Sequence, residues 1–199
     1  MPKDETEGRP NPEELLANIK EAELQSEKGN LKIFLGMAAG VGKTYSMLKE
    51  AHRLKELGVD VVVGIIDTHG RPETALLLEG LKIIPEKEMD YKGRLFKELD
   101  LERILTIHPE CVLIDELAHN NVPGAKHAKR WQDVQELLDN GINVYTTLNV
   151  QHIESLNDVV GQITGISVRE TVPDRIFDLA EDLELVDVSP EELVSRLQE

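Results

Sequence analysis

Leu31-Lys-Ile-Phe-Leu-Gly36-Met-Ala-Ala-Gly40-Val-Gly42-Lys43-Thr44 is the stretch of sequence that indicates the fold. Its first five residues are a short apolar run typical of a strand, and the residues from Lys43 to about Leu57 are predicted to form a helix. A strand, a glycine loop ending in Gly-Lys-Thr and a helix, in that order, are typical of a phosphate-binding P-loop. The alternative is an ordinary strand–turn–helix junction that happens to hold a lysine, and the Gly-Lys-Thr sequence disfavours it.

The residue types in this loop suit a nucleoside triphosphate bound together with a metal ion. Gly40, Val41 and Gly42 are expected to turn backbone N–H groups toward phosphate oxygens, because glycine permits the necessary backbone angles. Lys43 is expected to reach the β- and γ-phosphates, and Thr44 to place its hydroxyl oxygen on Mg²⁺. The predicted ligands are therefore ATP and Mg²⁺.

The start of the loop departs from the usual P-loop pattern at one position. Met37 stands where the first glycine is expected, and Gly36 comes one place early. Either the start of the loop is distorted or Met37 is tolerated there.

A second motif follows the apolar run that ends at Ile114. Asp115 and Glu116 come directly after this predicted strand, where a P-loop fold places the carboxylate that coordinates Mg²⁺. Asp115 is the predicted metal ligand, and Glu116 is expected to polarise an attacking water or hydroxyl. An Asp-Glu pair after a strand is usually a solvated turn, so the metal interpretation depends on the P-loop that precedes it.

Strands and helices are predicted to alternate along the chain. This alternation predicts an α/β, three-layer P-loop NTPase-like fold with a mostly parallel sheet and helices on both faces. The predicted strands after the first are Val59–Ile66, Cys111–Ile114 and Ile142–Thr147, with Ile166–Val168 and Leu183–Val188 as possible later ones. The predicted helices after Leu57 are Pro72–Leu78, Leu101–Ile107, Trp131–Asp139, Ile153–Ile163 and one opened by Ser189-Pro-Glu-Glu192, while residues 85–98 and 119–129 are predicted to be irregular.

Two further polar clusters follow predicted strands. Asp67–Arg71 comes after the second strand, and Thr146–His152 after the fourth. Because ligands of parallel α/β sheets bind outside the carboxyl ends of the strands, Arg71 with His69 is expected to touch the nucleotide or substrate. Asn149 and Gln151 are expected to sense the γ-phosphate. The alternative is that both clusters only cap turns.

Composition limits the classes of partner. The net charge of −16 argues against nucleic acid, since a phosphate backbone requires a basic surface. Cys111 is the only cysteine, which fits a reducing cytoplasm, and no apolar stretch approaches the length needed to cross a bilayer. Residues 1–11 are predicted to be a flexible tail and residues 12–199 a single nucleotide-binding domain, beginning with a helix that ends near Glu27.

One basic segment, Lys126–Arg130, stands out in this acidic chain. Short runs of charge are usually solvated, and the functional alternative is a contact to phosphate or to an acidic partner. His119 and His127 match no zinc-binding spacing, so a metal site built on them is rejected.

Several long runs resemble the cytosolic N-terminal domain of KdpD-type potassium-responsive sensor histidine kinases. The similarity extends over roughly residues 9–197. It is carried by Leu31–Thr44, by Thr68-His-Gly-Arg-Pro-Glu-Thr74, by the region from Asp115-Glu-Leu-Ala-His119 to Asp158, by Val168–Asp174 and by Leu185–Asp187.

The resemblance implies an ATP-binding domain that regulates the balance of kinase and phosphatase activity controlling a potassium uptake pump. It implies a parent protein anchored in the membrane, with a stress-type domain and a histidine-kinase core, neither of which is recognisable in this chain. Alternatives remain open: a phosphotransferase acting on a Ser or Thr of a partner, such as the pump itself, or a slow nucleotide-switch ATPase working as a homodimer.

Overall fold

Strands and helices alternate from Leu31 onward in the computed structural model, which describes residues 28–165, 168–189 and 192–193. The strands are β1 (Leu31–Gly36), β2 (Val61–Ile65), β3 (Lys82–Ile83), β4 (Lys87–Tyr91), β5 (Arg94–Glu98), β6 (Cys111–Ile114), β7 (Asn143–Asn149) and β8 (Ala180–Leu185). The helices are α1 (Lys43–Glu56), α2 (Pro72–Leu76), α3 (Leu101–Ile107), α4 (Arg130–Asp139) and α5 (Glu154–Thr164). Two short 3₁₀ segments, Val150–His152 and Asp174–Leu179, follow β7 and precede β8.

Six strands form the central sheet in the order β3-β2-β6-β7-β1-β8, and every pairing in it is parallel. β7 therefore lies between β1, which leads into the glycine loop, and β6, which ends just before Asp115. The predicted α/β fold with a parallel sheet is confirmed. Its consequence is that the carboxyl ends of β1, β2, β6 and β7 meet at one edge of the sheet.

Helices cover both faces of the sheet, which gives two separate cores. On one face, α1 packs Met47, Leu48 and Ala51 against alternate residues of β1, β2 and β6. On the other face, α3 and α4 pack with Ile153, Val172 and the second 3₁₀ segment. Strands buried on both faces read as continuous apolar runs, and all five residues of β2 are buried.

Gly64 allows an especially close approach at the middle of β2. A Cβ atom there would lie 2.9 Å from Cδ1 of Leu99 and 3.0 Å from Cγ2 of Val112. Leu99 follows β5 directly, so the small residue in β2 lets the chain that leaves the β4–β5 pair lie against the sheet.

The prediction that residues 85–98 are irregular is wrong. β4 and β5 pair in antiparallel fashion, with Tyr91 opposite Arg94. The two turn residues, Lys92 and Gly93, both have positive φ, 55° and 76°, as a type I′ hairpin turn requires. The strands escaped prediction because both of their faces carry charged, mostly exposed side chains, which removes the alternation that marks a half-buried strand.

Several predicted boundaries shift. The sixth strand of the sheet covers Ala180–Leu185 instead of Leu183–Val188, and Val168 is not in a strand. The predicted tail, the helix ending near Glu27, residues 166 and 167, and most of the last helix lie outside the described residues. Ser189, the predicted N-cap of that helix, accepts a hydrogen bond through its hydroxyl from the Glu192 N–H at 3.2 Å. Within the described parts of the chain, no helix is both long and apolar enough to cross a membrane.

Lys92 offers a test of the hairpin turn. Because a non-glycine residue in the left-handed region is strained and Asn tolerates it best, Lys92→Asn should raise the free energy of unfolding by about 0.5–1 kcal/mol. Lys92→Ala removes the same charge without the left-handed preference and serves as the control. Chemical denaturation of both variants decides the point, and equal stability of the two would contradict the turn assignment.

Candidate functional site

A cavity of about 250 Å³ opens at the carboxyl edge of the sheet. The residues that line it come from the glycine loop, from the ends of β2, β6 and β7, and from the segment before the second 3₁₀ turn. Those named in the following paragraphs are Gly40, Gly42, Lys43, Thr44, Asp67, His69, Arg71, Asp115, Glu116, His119, Thr147 and Asn149. The four predicted strand ends therefore do converge on one cavity.

The glycine loop is shaped by two left-handed residues and one close contact. Gly40 and Gly42 have φ of 92° and 103°, which a residue with a Cβ atom rarely adopts. A Cβ on Gly36 would lie 2.6 Å from Cγ2 of Val41, whose side chain is 2% exposed and anchors the loop from beneath. Val41 is therefore buried, and unlike Gly40 and Gly42 it is not among the residues that line the cavity. Gly36 therefore has no room for a side chain, and the loop from Gly36 to Gly42 (the glycine cradle) keeps its shape because it carries glycine at these positions.

Met37 is tolerated in the loop. Its φ is not in the left-handed region, and its side chain is 56% exposed. The usual glycine is dispensable there because the Met37 side chain points away from the loop's interior. Of the two possibilities left open by the sequence, the structure supports tolerance.

Lys43 lies across the glycine loop. Its Nζ donates to the carbonyl of Ala38 at 3.0 Å, so the ammonium is held at the mouth of the cradle. Burial lowers the pKa of Lys43, while the nearby Asp115 carboxylate opposes that shift and Arg71 adds to it. An anion in the cavity would relieve this electrostatic penalty.

Asp115 accepts hydrogen bonds from two hydroxyls that lie far from it in sequence. Thr44 Oγ1 lies 3.1 Å from Oδ2 and 3.3 Å from Oδ1 of Asp115, and Thr147 Oγ1 donates to Oδ1. Asp115 itself is 2% exposed. Carboxylate and hydroxyl oxygens are hard donors of the kind that Mg²⁺ prefers, so this group fits the predicted metal.

The environment of Asp115 is costly for a charge. Burial raises the pKa of its carboxyl group, the hydroxyl of Thr147 lowers it, and the neighbouring Glu116 carboxylate raises it further, with a net upward shift. Such a carboxylate is destabilising when ionised alone and gains most from a cation beside it.

Glu116 has an unusual backbone. Its φ is 57°, and its N–H donates both to Oδ1 of Asp115 at 3.2 Å and to Oγ1 of Thr147 at 3.0 Å. Its half-exposed carboxylate lines the cavity, with Oε1 3.7 Å from Nε2 of His69. His69 is in turn 3.3 Å from the carboxylate of Asp67. The carboxylate therefore stands beside the cavity without being buried in it.

The remaining predicted residues divide into two groups. Arg71 and Asn149 line the cavity, and Oδ1 of Asn149 is buried without a hydrogen-bond partner among the described residues. Gln151 does not line it. It lies in the first 3₁₀ segment, and its carbonyl accepts from the side chain of Asn157. The 3₁₀ segment after β7 brings His152 to the cavity and leaves Gln151 outside it.

Three residues that matter here were not singled out by sequence. Thr147 stood in a polar cluster, but nothing local marks its hydroxyl as a partner of Asp115. Arg130 and Glu98 form a buried ion pair of 3.4 Å behind the Asp115 loop. They are 32 residues apart, so only the assembled fold brings them together.

The basic segment Lys126–Arg130 is not a free basic patch. Lys126 and His127 both contact the carboxylate of Glu136, the latter at 2.7 Å. Lys129 contacts the side-chain oxygen of Asn120, and Arg130 is buried at the start of α4. Most of this charge is therefore neutralised within the chain, which disfavours docking of an acidic partner there.

The parallel sheet, its helices on both faces and the glycine loop between β1 and α1 define a three-layer α/β domain of the P-loop NTPase type. Residues 27–199 match the model of the KdpD family, described as the osmosensitive K⁺ channel His kinase sensor domain. The chain belongs to this family.

Named relatives agree with this assignment. The chain is 55% identical to the sensor protein KdpD of Clostridium acetobutylicum over 94% of its length, and 54% identical to that of Escherichia coli over 96%. It spans about a fifth of each of these relatives (21%). A putative sensor protein KdpD of Synechocystis is 54% identical, with 86% of this chain and 46% of the relative covered. Among solved structures, the DnaC helicase loader shares 16% identity at a TM-score of 0.41, covering 92% of this chain and 95% of its own.

Asp115→Asn should stabilise the unliganded domain at neutral pH. Because the folded-state pKa of Asp115 is raised, the stability that its protonated form provides is lost as the pH rises through that pKa. Asn keeps an oxygen acceptor and carries no charge. A gain of ~1 kcal/mol would raise the Tm by about 2–4 °C.

Thermal melts without metal or nucleotide check this prediction at two pH values. The advantage of Asp115→Asn should shrink as the pH falls below the ordinary Asp range near ~4, where both states of the wild type become protonated. Asp158→Asn, at an exposed position of α5, is the matched control. A variant that melts below wild type at pH 7 would show that the charge of Asp115 is not destabilising.

Proposed function

We propose that this domain binds ATP with Mg²⁺ and uses the bound nucleotide to regulate a potassium-responsive sensor histidine kinase. The observation that carries the proposal is the meeting of Thr44 and Asp115, 71 residues apart, with 3.1 Å between the hydroxyl and the carboxylate, at the mouth of a glycine cradle. A buried carboxylate is costly even with the Thr44 hydrogen bond, and a cation bound beside it would offset that cost. Together Thr44 and Asp115 would supply the protein ligands of Mg²⁺ in a Mg²⁺–nucleotide site.

The residues of the cavity divide the ligand between them. The backbone N–H groups of Gly40, Val41 and Gly42 would hold phosphate oxygens, and Lys43 would neutralise the terminal phosphates. Thr44 and Asp115 would hold Mg²⁺, which supplies positive charge between them and the phosphates. Arg71 and Asn149, which line the cavity, would contact the far end of the phosphate chain, Asn149 through the NH₂ donor of its side-chain amide. Gln151, outside the cavity, has no part in this proposal.

A regulatory role is favoured over an independent enzyme. The relatives are named sensor proteins, and this chain corresponds to about a fifth of their length (21%). The remaining domains of the parent kinase, and a potassium uptake pump further downstream, are the proposed targets of the signal. The proposed location is the cytoplasm, with the parent protein anchored in the membrane outside this domain.

One observation supports a second function, transfer or hydrolysis of the terminal phosphoryl group. Glu116 places a half-exposed carboxylate on the cavity wall beside Asp115, held by a strained backbone. A carboxylate there is suited to orient a water, or a Ser or Thr hydroxyl, for attack. Slow turnover of this kind would be compatible with a nucleotide switch.

Lys43→Ala tests nucleotide binding. Removal of the ammonium should abolish the rise in Tm that ATP with Mg²⁺ produces in the wild type, because the phosphates lose their main buried cation. Lys49→Ala, the same substitution at an exposed position of α1, should keep the full rise. Equal stabilisation of all three proteins by ATP would reject the site.

Glu116→Gln separates binding from catalysis. If the carboxylate orients the nucleophile, the variant should bind ATP as the wild type does and lose about 10²-fold in the rate of phosphate release or transfer. Labelled ATP, with and without candidate partner proteins, gives the measurement. Turnover in the variant equal to that of the wild type would show that Glu116 has no role in catalysis. No turnover in either protein would exclude the second function and leave regulation as the only proposed one.

A further inference from the structure

A buried ionic cluster contacts the backbone of the Asp115 loop, and one of its members, His119, also lines the cavity. Nη1 of Arg130 donates to the backbone carbonyl of Asp115 at 2.9 Å, and Nη2 lies 3.4 Å from Oε2 of Glu98. Oε1 of Glu98 accepts from the ring of His119 at 3.2 Å and from the N–H of Val122 at 2.9 Å. Arg130 and Glu98 are each 3% exposed.

Stability alone is a poor explanation for this cluster. Desolvation of two charges usually consumes what their attraction returns, so a buried ion pair is often no better than packed apolar residues. Here Nε of Arg130 is also buried without a partner among the described residues, which adds to the cost. Bonds from His119 and Val122 nevertheless hold the pKa of Glu98 below its ordinary value, although burial would raise it, so the pair stays charged.

The loop that Arg130 contacts is strained. Glu116 adopts φ of 57°, and a non-glycine residue holds such a conformation only when its surroundings fix it. The peptide group that joins Asp115 to Glu116 is hydrogen-bonded through both its carbonyl and its N–H. Its carbonyl accepts from Arg130, and its N–H donates to the Asp115 carboxylate and to the Thr147 hydroxyl.

We propose that Arg130 is a positioning residue: by holding the Asp115 carbonyl, it orients the Asp115 and Glu116 carboxylates toward the cavity. The proposal rests on the proposed Mg²⁺–nucleotide site for its functional part, while the orientation of the loop is independent of any ligand. The Glu98 carboxylate holds the other arm of the guanidinium and so fixes the fork in place. Lysine cannot replace Arg130, because one ammonium on a flexible stem does not span two acceptors in a fixed geometry.

The first measurement needs no ligand. Amide hydrogen exchange of the wild type should show Glu116 protected, because its N–H has two acceptors. In Arg130→Lys this protection should fall by about tenfold or more, the effect of losing one charge-assisted hydrogen bond. Arg53→Lys, at the exposed ion pair with Glu50, is the matched control and should leave Glu116 unchanged.

The second measurement compares ATP affinity in Mg²⁺ and in EDTA. If Arg130 acts by orienting Asp115, Arg130→Lys should lose about tenfold in the gain that Mg²⁺ gives and keep its affinity in EDTA. A residue with a merely structural role would weaken both affinities alike and leave their ratio unchanged. An unchanged ratio together with an unchanged Glu116 exchange rate overturns the proposal.

A second variant covers the case in which Arg130→Lys does not fold. Arg130→Met combined with Glu98→Gln removes both buried charges, so no unpaired ion is left behind, and it should fold while Glu116 loses its protection. Retained protection in this double variant also overturns the proposal. If the wild type binds no ATP, the proposed function fails, and the exchange experiment alone still decides the role of Arg130.

Discussion

The carboxylate of Asp115, taken out of water at the end of a central strand, is the constraint on which the rest of this structure depends. It is 2% exposed and accepts from the hydroxyls of Thr44 and Thr147. A charge in such a place requires a surrounding that is complete on every side. Thr44, which follows the glycine loop, and Thr147 of β7 contact the Asp115 carboxylate, and Arg130, paired with Glu98, contacts the Asp115 carbonyl. These features of the site all surround one buried carboxylate.

The charged groups and the strained backbone around this carboxylate lower the stability of the domain. Lys43, Asp115 and Arg130 each have a pKa displaced in the direction that burial dictates, and Glu116 adopts a strained backbone. Groups of this kind cluster at functional sites because a ligand of the right charge relieves them. The apolar remainder of the sheet, buried on both faces, provides the stability that offsets these costs.

The part of the site carried by continuous sequence could be predicted, and the part created by packing could not. Lys43 and Thr44 belong to a local motif, and Asp115 is marked by the apolar strand before it, so their convergence followed from parallel topology. Gln151 was misplaced because no pattern signals that the chain turns into a 3₁₀ segment after β7. Arg130 was assigned to a basic loop, since its partner Glu98 lies 32 residues away in a hairpin whose charged strands have no periodicity.

The position of β7 between β1 and β6 has a consequence for how the domain is made. Thr44 and Asp115 leave strands that are not neighbours, and the distance between them is set by a strand that is synthesised after both. A growing chain that has not yet reached Asn149 therefore contains the glycine loop and the acidic pair without the spacing that joins them. Such non-local strand pairings form late, because the entropy of closing long loops must be overcome first. Assembly of the cavity thus requires the insertion of β7 between β1 and β6, and a chain that lacks β7 does not present a finished site.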